Sequence, residues 1–256
     1  TLEMLTQVWD IKTVECNTPL EAELLESDEI KKWNPPYNIL LKENHRRIIF
    51  YNKDYSQHSD IKEALFYNGP YRPFDSVMNL MALIRAIRTH APLPYEEEHT
   101  SEHVAQGWKL FCRNNEVEYD IIEQTNWRIF FTIGYKLLKR FEREYGKSNF
   151  EQWWRKEKTT TAQDELGIEQ KIAQKIARWF IRAAETKRKS IQLRRLSNAS
   201  IVIKATHKRL QLMDGEFVIE QDEKVTGLKS KSFGLPHYDR LSILLAAKNK
   251  NLISFV

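Results

Sequence analysis

Apolar residues recur every three or four positions through the middle of the chain, which predicts a succession of amphipathic helices. A first helix is expected after Pro73. A second is expected after Thr100, whose hydroxyl can accept the free N–H groups of a first turn. A third is predicted over residues 117–145, with Gly146 where a helix usually stops, and a fourth over residues 164–192. The middle of the chain is therefore expected to form a helical core.

The two ends of the chain have other patterns. Before Tyr55, short apolar runs and a proline pair favour short strands or irregular structure. After residue 198 the apolar residues alternate, and Asp214–Gly215 between two alternating runs predicts a β-hairpin. A last helix is predicted from His237 to Lys248. The predicted fold class is α+β: a mainly helical bundle core with an N-terminal mixed segment and a C-terminal β-hairpin or meander followed by a helix.

These patterns divide the sequence into three regions. Residues 1–58 are acidic, with short strands and irregular structure; residues 59–196 form the helical core with basic faces; residues 197–256 form the hairpin and the terminal helix. A chain of 256 residues that is 41% apolar can bury a substantial core, so we expect the regions to pack as one domain. No run approaches the roughly 18 apolar residues of a membrane-spanning helix, so no transmembrane segment is expected.

The cysteine content indicates a reducing compartment. Cys16 and Cys112 are the two cysteines, and they lie far apart in the sequence, outside any C-x-x-C pattern. Two buried thiols are therefore expected instead of a disulfide or a zinc site. This favours an intracellular location, cytoplasmic or nuclear.

Charge is distributed unevenly along the chain, although the formal net charge is only +5. Residues 1–30 contain eight acidic residues and one basic residue, whereas residues 136–210 contain twenty basic and eight acidic residues. Such a division indicates binding to a polyanion, binding to an acidic partner, or pairing of the two segments within the molecule.

Basic residues share one face of the predicted fourth helix. Five basic residues between positions 171 and 189 are separated by 4, 3, 4 and 7 positions. At about 100° per residue, they lie within about a quarter of the helix circumference, and Glu185 interrupts this stripe. Apolar residues, including Ile172 and Ile176, occupy the adjoining side. The preceding helix repeats the arrangement. Like charges at this spacing repel by a few tenths of a kcal/mol per pair, so an anionic ligand would stabilise these faces.

The basic faces predict a non-enzymatic protein that binds the backbone of RNA or DNA without base-sequence preference, within a larger assembly. Trp153, Trp154 and Trp179 are candidates for stacking on bases, although aromatic residues at helical spacing usually belong to a core. Lys208 and Arg209 extend the basic surface. The predicted nucleic-acid-binding residues are Lys136, Arg140, Arg143, Lys147, Lys171, Lys175, Arg178, Arg182, Lys189, Arg194 and Arg195.

Other interpretations of the basic faces stay open. Charge runs are often only solvated surface, or they pair with acids from elsewhere in the molecule, such as residues 1–30. The protein is alternatively a structural or scaffold subunit, such as a self-associating matrix- or nucleoprotein-like component. Its basic face would then bind an acidic protein or a membrane surface. Protein partners or self-association are expected in either case.

One short pattern is a candidate for zinc binding. His99, Glu102 and His103 have the H-x-x-E-H spacing that places two histidine ligands and a carboxylate on one helical turn in some metallopeptidases. The ligands must share a helix, but a cap at Thr100 leaves His99 outside the first turn. An exposed helix N-terminus is the simpler interpretation.

A second short pattern is a candidate for magnesium-dependent hydrolysis. Asp222 and Lys224 form the D-x-K arrangement found in many nucleases, in which acids hold Mg²⁺ and the lysine orients water. The additional acid would have to be a residue such as Asp214, which the hairpin turn already explains. A metal-dependent hydrolase or nuclease is therefore the second alternative, and neither a catalytic residue nor a cofactor is predicted.

Overall fold

The computed structural model describes residues 8–35, 47–72, 76–92, 100–124, 127–146, 167–213, 216–220 and 233–256. In chain order the elements are α1 (Pro19–Trp33), β1 (Ile49–Tyr51), β2 (His58–Ser59), β3 (Asn68–Tyr71), α2 (Ser76–Arg88), α3 (Ser101–Asn115), a 3₁₀ helix (Tyr119–Glu123), α4 (Trp127–Tyr145), α5 (Ile168–Leu196), β4 (Ile201–Ile203), β5 (Arg209–Met213), β6 (Glu216–Glu220), α6 (Leu235–Asn249) and β7 (Ile253–Phe255).

Contacts between residues of the chain group them into two compact units. The split unit consists of Thr1–Asn52, His58–Arg72 and Ser190–Val256. The helical unit consists of Lys53–Gln57 and Pro73–Lys189. Helix α5 contributes its residues up to 189 to the helical unit and its last residues to the split unit.

The split unit contains both sheets that the structure describes. One has the strand order β2-β1-β3 and the other the order β6-β5-β4-β7, and all pairings are antiparallel. The predicted hairpin is confirmed, since Met213 pairs with Glu216 across the two residues that connect β5 to β6. Residues 214 and 215 lie outside the described part. The α+β fold class is thereby confirmed, with a C-terminal hairpin followed by a helix.

Helix α1 differs from the expected irregular structure of the opening segment. Thr18 caps it by accepting the N–H of Glu21 at 3.1 Å, and Pro19 occupies the first turn, where its missing N–H has no effect. The helix packs on α6. Two ion pairs join these helices: Arg240 Nε lies 2.6 Å from Asp28 Oδ1, and Lys31 Nζ lies 3.2 Å from Asp239 Oδ2. Tertiary contact with a distant segment therefore stabilises a charged helix that has only a weak apolar stripe.

The core of the helical unit is a stack of aromatic rings. The ring centroids of Trp108 and Phe111 are 5.3 Å apart, and those of Phe111 and Phe180 are 5.2 Å apart. Phe130 of α4 meets Phe180 at 6.4 Å. All four side chains are fully buried. Helices α3, α4 and α5 thus share one core, and offset or edge-on aromatic pairs add about 0.5–1.5 kcal/mol each beyond their area burial.

The third predicted helix is wrong at its N-terminal end. Helix α3 ends at Asn115, and Glu116 takes the left-handed conformation with φ 54° while its N–H bonds the carbonyl of Cys112. A 3₁₀ helix follows, and α4 begins only at Trp127. The predicted end is confirmed: Gly146 has φ 84° and donates its N–H to Glu142 O at 3.0 Å.

The structure bears on two further predictions, the state of the two cysteines and the expected lack of a transmembrane segment. Both thiols are free; Cys112 is buried and Cys16 is half-buried. Burial raises the pKa of the Cys112 thiol to about 12. Among the helices that the structure describes, none combines the length and apolar character required to cross a bilayer.

Candidate nucleic-acid interface

The outer face of α4 carries the most exposed group of predicted site residues. Lys136, Arg140 and Arg143 are exposed, as is Lys139, which the sequence prediction omitted. At about 100° per residue these four side chains span about 100° of the helix circumference. Lys136, Lys139 and Arg143 form no ion pair with any residue that the structure describes. We call these four residues the α4 basic face.

The opposite side of α4 explains this exposure. The helix buries Phe130, Leu137, Leu138 and Phe141 in the helical unit. Its acidic residue Glu142 also turns away from the α4 basic face. The Oε1 of Glu142 lies 2.7 Å from Nη1 of Arg188 on α5. Of the two acids of α4, Glu142 therefore pairs with α5, and Glu144 is exposed one turn after Arg140.

The basic stripe of α5 is placed differently. Lys171 is exposed near the start of the helix, and Lys175 is half-buried. Arg178, one turn further along, is only 7% exposed. Arg182 and Lys189 are half-buried, and each of them has interaction partners within the protein, as do Lys175 and Arg178. The stripe is thus open to solvent at Lys171, buried at Arg178 and partly covered at its other three positions.

The environment of Lys175 is that of a partly desolvated amine. Its Nζ lies 5.2 Å from the ring centroid of Trp179, a cation–π distance. Burial lowers the pKa of Lys175, and the positive charge of Arg178 lowers it further. Trp179 is half-buried under this amine, so the side chain proposed for base stacking already has a cation over its ring.

The remaining predicted basic residues lie in the split unit or outside the described residues. Arg194 donates to the carbonyl of Tyr67 at 3.3 Å, and Arg195 is exposed. Lys208 Nζ lies 3.2 Å from Glu21 Oε1, which is one instance of the pairing expected between the basic and the acidic segments. Arg209 is exposed. The predicted residues outside the described part of the chain are Lys147, Trp153 and Trp154.

The candidate zinc pattern acts as a helix cap. Thr100 Oγ1 accepts the N–H of His103 at 3.3 Å, and His103 Nδ1 accepts the N–H of Thr100 at 3.4 Å. Glu102 is exposed in the first turn of α3. His99 lies outside the described residues. Within the described residues, no three His, Cys, Asp or Glu side chains form a group that could hold a metal ion.

The candidate magnesium pattern falls outside the described residues, which do not include Asp214, Asp222 or Lys224.

Comparison with known proteins gave no family assignment: no family model, no curated protein and no solved structure matches the chain significantly. The geometry of the exposed side chains is therefore the basis for a functional proposal.

Proposed function

We propose that the protein binds the phosphate backbone of nucleic acid through the α4 basic face. The observation that carries the proposal is the concentration of four exposed cations within about 100° of the circumference and about 10 Å of the axis of one helix. Cations at i, i+3 and i+4 repel one another, and phosphate groups relieve that repulsion. Displaced counterions supply the binding free energy in this mode, so binding requires no base-reading side chain.

The opposite, buried side of α4 makes the proposal testable. Phe130, Leu138 and Phe141 fix the helix in its unit, and they do not depend on the outer cations. Exposed positions of this kind usually tolerate substitution within about 0.5 kcal/mol of the free energy of unfolding. Neutralising the face should therefore change binding without dismantling the unit.

The test is fluorescence anisotropy with labelled DNA duplexes of two unrelated sequences over a series of salt concentrations. If the four residues of the α4 basic face each contact a phosphate, log affinity should fall against log salt with a slope of about −3.6 for both duplexes. The variant Lys136→Gln, Lys139→Gln, Arg140→Gln and Arg143→Gln should lose most of this slope. A wild-type slope near zero contradicts the proposal.

A matched control separates a local site from net charge. The variant Lys12→Gln, Lys53→Gln, Lys62→Gln and Lys250→Gln removes the same charge from exposed positions outside the face. This control should retain wild-type affinity and slope. Equal losses in the two variants would show that general attraction, and not the α4 basic face, governs binding.

A different observation favours a second candidate function, association with another protein subunit. Near the start of the described chain, Trp9 is 97% exposed and Ile11 is 78% exposed, and Val8 and Val14 are also exposed. Clustered exposed apolar residues mark interaction sites. We propose that this segment binds a second subunit, as in a scaffold protein.

The test of this second candidate is light scattering of protein free of nucleic acid. The wild-type protein should form an oligomer, and the variant Trp9→Ser with Ile11→Ser should dissociate it. A monomeric wild-type protein would contradict this candidate.

A further inference from the structure

A cavity of about 370 Å³ opens on the helical unit beside the α4 basic face. Residues from the end of α3, from α4 and from the first half of α5 line it, and Arg140 belongs both to this lining and to the face. We call this cavity the amide groove, because its polar lining consists of Arg140 and four amide side chains. The amides are Asn114, Asn115, Gln170 and Gln174.

Arg140 is held at the edge of the amide groove by a chain of hydrogen bonds. The Nδ2 of Asn115 donates to the carbonyl of Phe111 at 2.9 Å. Its Oδ1 accepts from Nη2 of Arg140 at 2.6 Å. One guanidinium N–H is thereby fixed, and a guanidinium has five N–H donors in a planar fork that suits phosphate. The orientation of the arginine is set before an anion arrives.

The two glutamines of α5 present donors to the same groove. Gln170 Oε1 accepts the N–H of Gly167 at 3.2 Å, and Gln174 Oε1 accepts weakly from Arg178 Nη2 at 3.5 Å. Their carbonyl oxygens are thus engaged, which leaves the amino groups as donors. No carboxylate occurs among the described residues that line the groove. A ligand should therefore be rich in acceptors and carry negative charge.

The rest of the lining is apolar. Leu110 and Ala177 are half-buried, and the alanines at 173 and 177 keep the space open. The volume lies near the lower end of the range of about 300–1,000 Å³ for small-molecule sites. A nucleotide combines the required features: an anionic phosphate, acceptor groups on the base edge, and apolar ring faces.

We propose that the amide groove binds one nucleotide of a single-stranded nucleic acid, with its phosphate at Arg140 and its base edge at Gln170 and Gln174. A single strand is chosen because an unpaired base can leave its stack and enter a cavity, whereas a paired base cannot without unpairing. This inference rests on the proposed function: the α4 basic face binds any backbone, and the groove adds a preference for single strands.

The test compares a labelled oligouridylate, a labelled DNA duplex of equal length, and uridine monophosphate as a competitor. Gln170→Ala with Gln174→Ala should lower the affinity for oligouridylate about tenfold, because two hydrogen bonds are lost. Affinity for the duplex should not change. Ala177→Leu, which fills the groove, should have the same selective effect. The control Gln106→Ala with Gln124→Ala, at exposed positions elsewhere in the helical unit, should change neither affinity.

The outcomes separate this inference from the function on which it rests. If neutralising the α4 basic face weakens both probes but the groove variants weaken neither, or weaken both equally, the groove inference is overturned and the backbone proposal remains. If neutralising the face weakens neither probe, the backbone proposal fails. Tight binding of uridine monophosphate without oligouridylate binding would overturn the assignment to a strand.

Discussion

Helices α4 and α5 carry similar rows of lysine and arginine, yet every member of the α4 row is exposed, whereas the α5 row is exposed at Lys171, buried at Arg178 and half-buried at its other positions. The buried residues of α4 lie on one side, so the cations opposite to them are exposed. In the middle of α5, buried residues run from Ile172 through Phe180 and Ile181 to Arg178, about 240° of the circumference. The buried arc reaches one edge of the basic row of α5, at Arg178, whereas no member of the row on α4 is buried.

The largest expected difference between the two helices concerns stability. Arg178→Glu should lower the free energy of unfolding by about 3–5 kcal/mol, because it removes a buried cation from its partners and places an acid in the same site. The matched change Arg143→Glu on α4 should alter it by no more than about 0.5 kcal/mol. Urea unfolding of both variants gives the measurement. Equal losses in Arg178→Glu and Arg143→Glu would contradict the distinction between the two helices. Arg178→Met serves as a control: a smaller loss of unfolding free energy than in Arg178→Glu would assign the difference to the buried acid.

A smaller effect is expected where the two helices touch. A methyl group at Gly134 of α4 would overlap the carbonyl oxygen of Phe180 and would lie 3.0 Å from Cβ of Ala184. Gly134→Ala should therefore reduce the free energy of unfolding by about 1–3 kcal/mol, although alanine is the better helix former. Thr132→Ala, at an exposed site on the same helix, should change it by less than about 0.5 kcal/mol. If Gly134→Ala instead raised the free energy of unfolding, α4 and α5 would pack less closely at this position than the structure indicates.

The smallest effect concerns the ion pair that removes Glu142 from the α4 basic face. A double-mutant cycle of Glu142→Ala and Arg188→Ala should give a coupling of about 0.5–1 kcal/mol, since the pair is only partly buried. The more distant pair of Arg188 and Glu185, at 4.0 Å, provides the control and should couple less strongly. A zero coupling for Glu142 would imply that this acid is available to screen the face.

Much of the fold follows from local sequence signals. The cap at Thr100, the stop at Gly146 and the alternation on both sides of Asp214–Gly215 each indicate an element that the structure contains. These signals work because they act within one turn or one hairpin. They do not require knowledge of any distant residue.

The structure differs from the sequence prediction at two helix starts, those of α1 and α4. Thr18, Pro19 and Glu21 form the start of a capped helix, but the short apolar runs and the proline pair of the opening segment favour short strands or irregular structure. The third predicted helix begins at residue 117, whereas α4 begins at Trp127, after the 3₁₀ helix Tyr119–Glu123. In both cases the spacing of apolar residues does not locate the first residue of the helix.

The candidate site was predictable only in part. The spacing of Lys136, Arg140 and Arg143 indicates the α4 basic face. Lys139 lies three positions after Lys136 and four before Arg143, so the same spacing also places it on this face. The burial of Arg178 depends on what covers α5, which no local pattern contains. The amide groove likewise requires Asn115 and Arg140, residues of different helices, to meet.

The pairing of α1 with α6 has a consequence for biosynthesis. Asp28 meets Arg240, which is 212 residues later in the chain, and β4 pairs with β7 close to the last residue. The ribosome synthesises a chain from its N-terminus, so α1 leaves the ribosome long before α6 has been made. The helical unit draws on residues up to Lys189 and can assemble earlier. During translation, α1 therefore lacks its ion-pair partners on α6 until more than 200 further residues have been added.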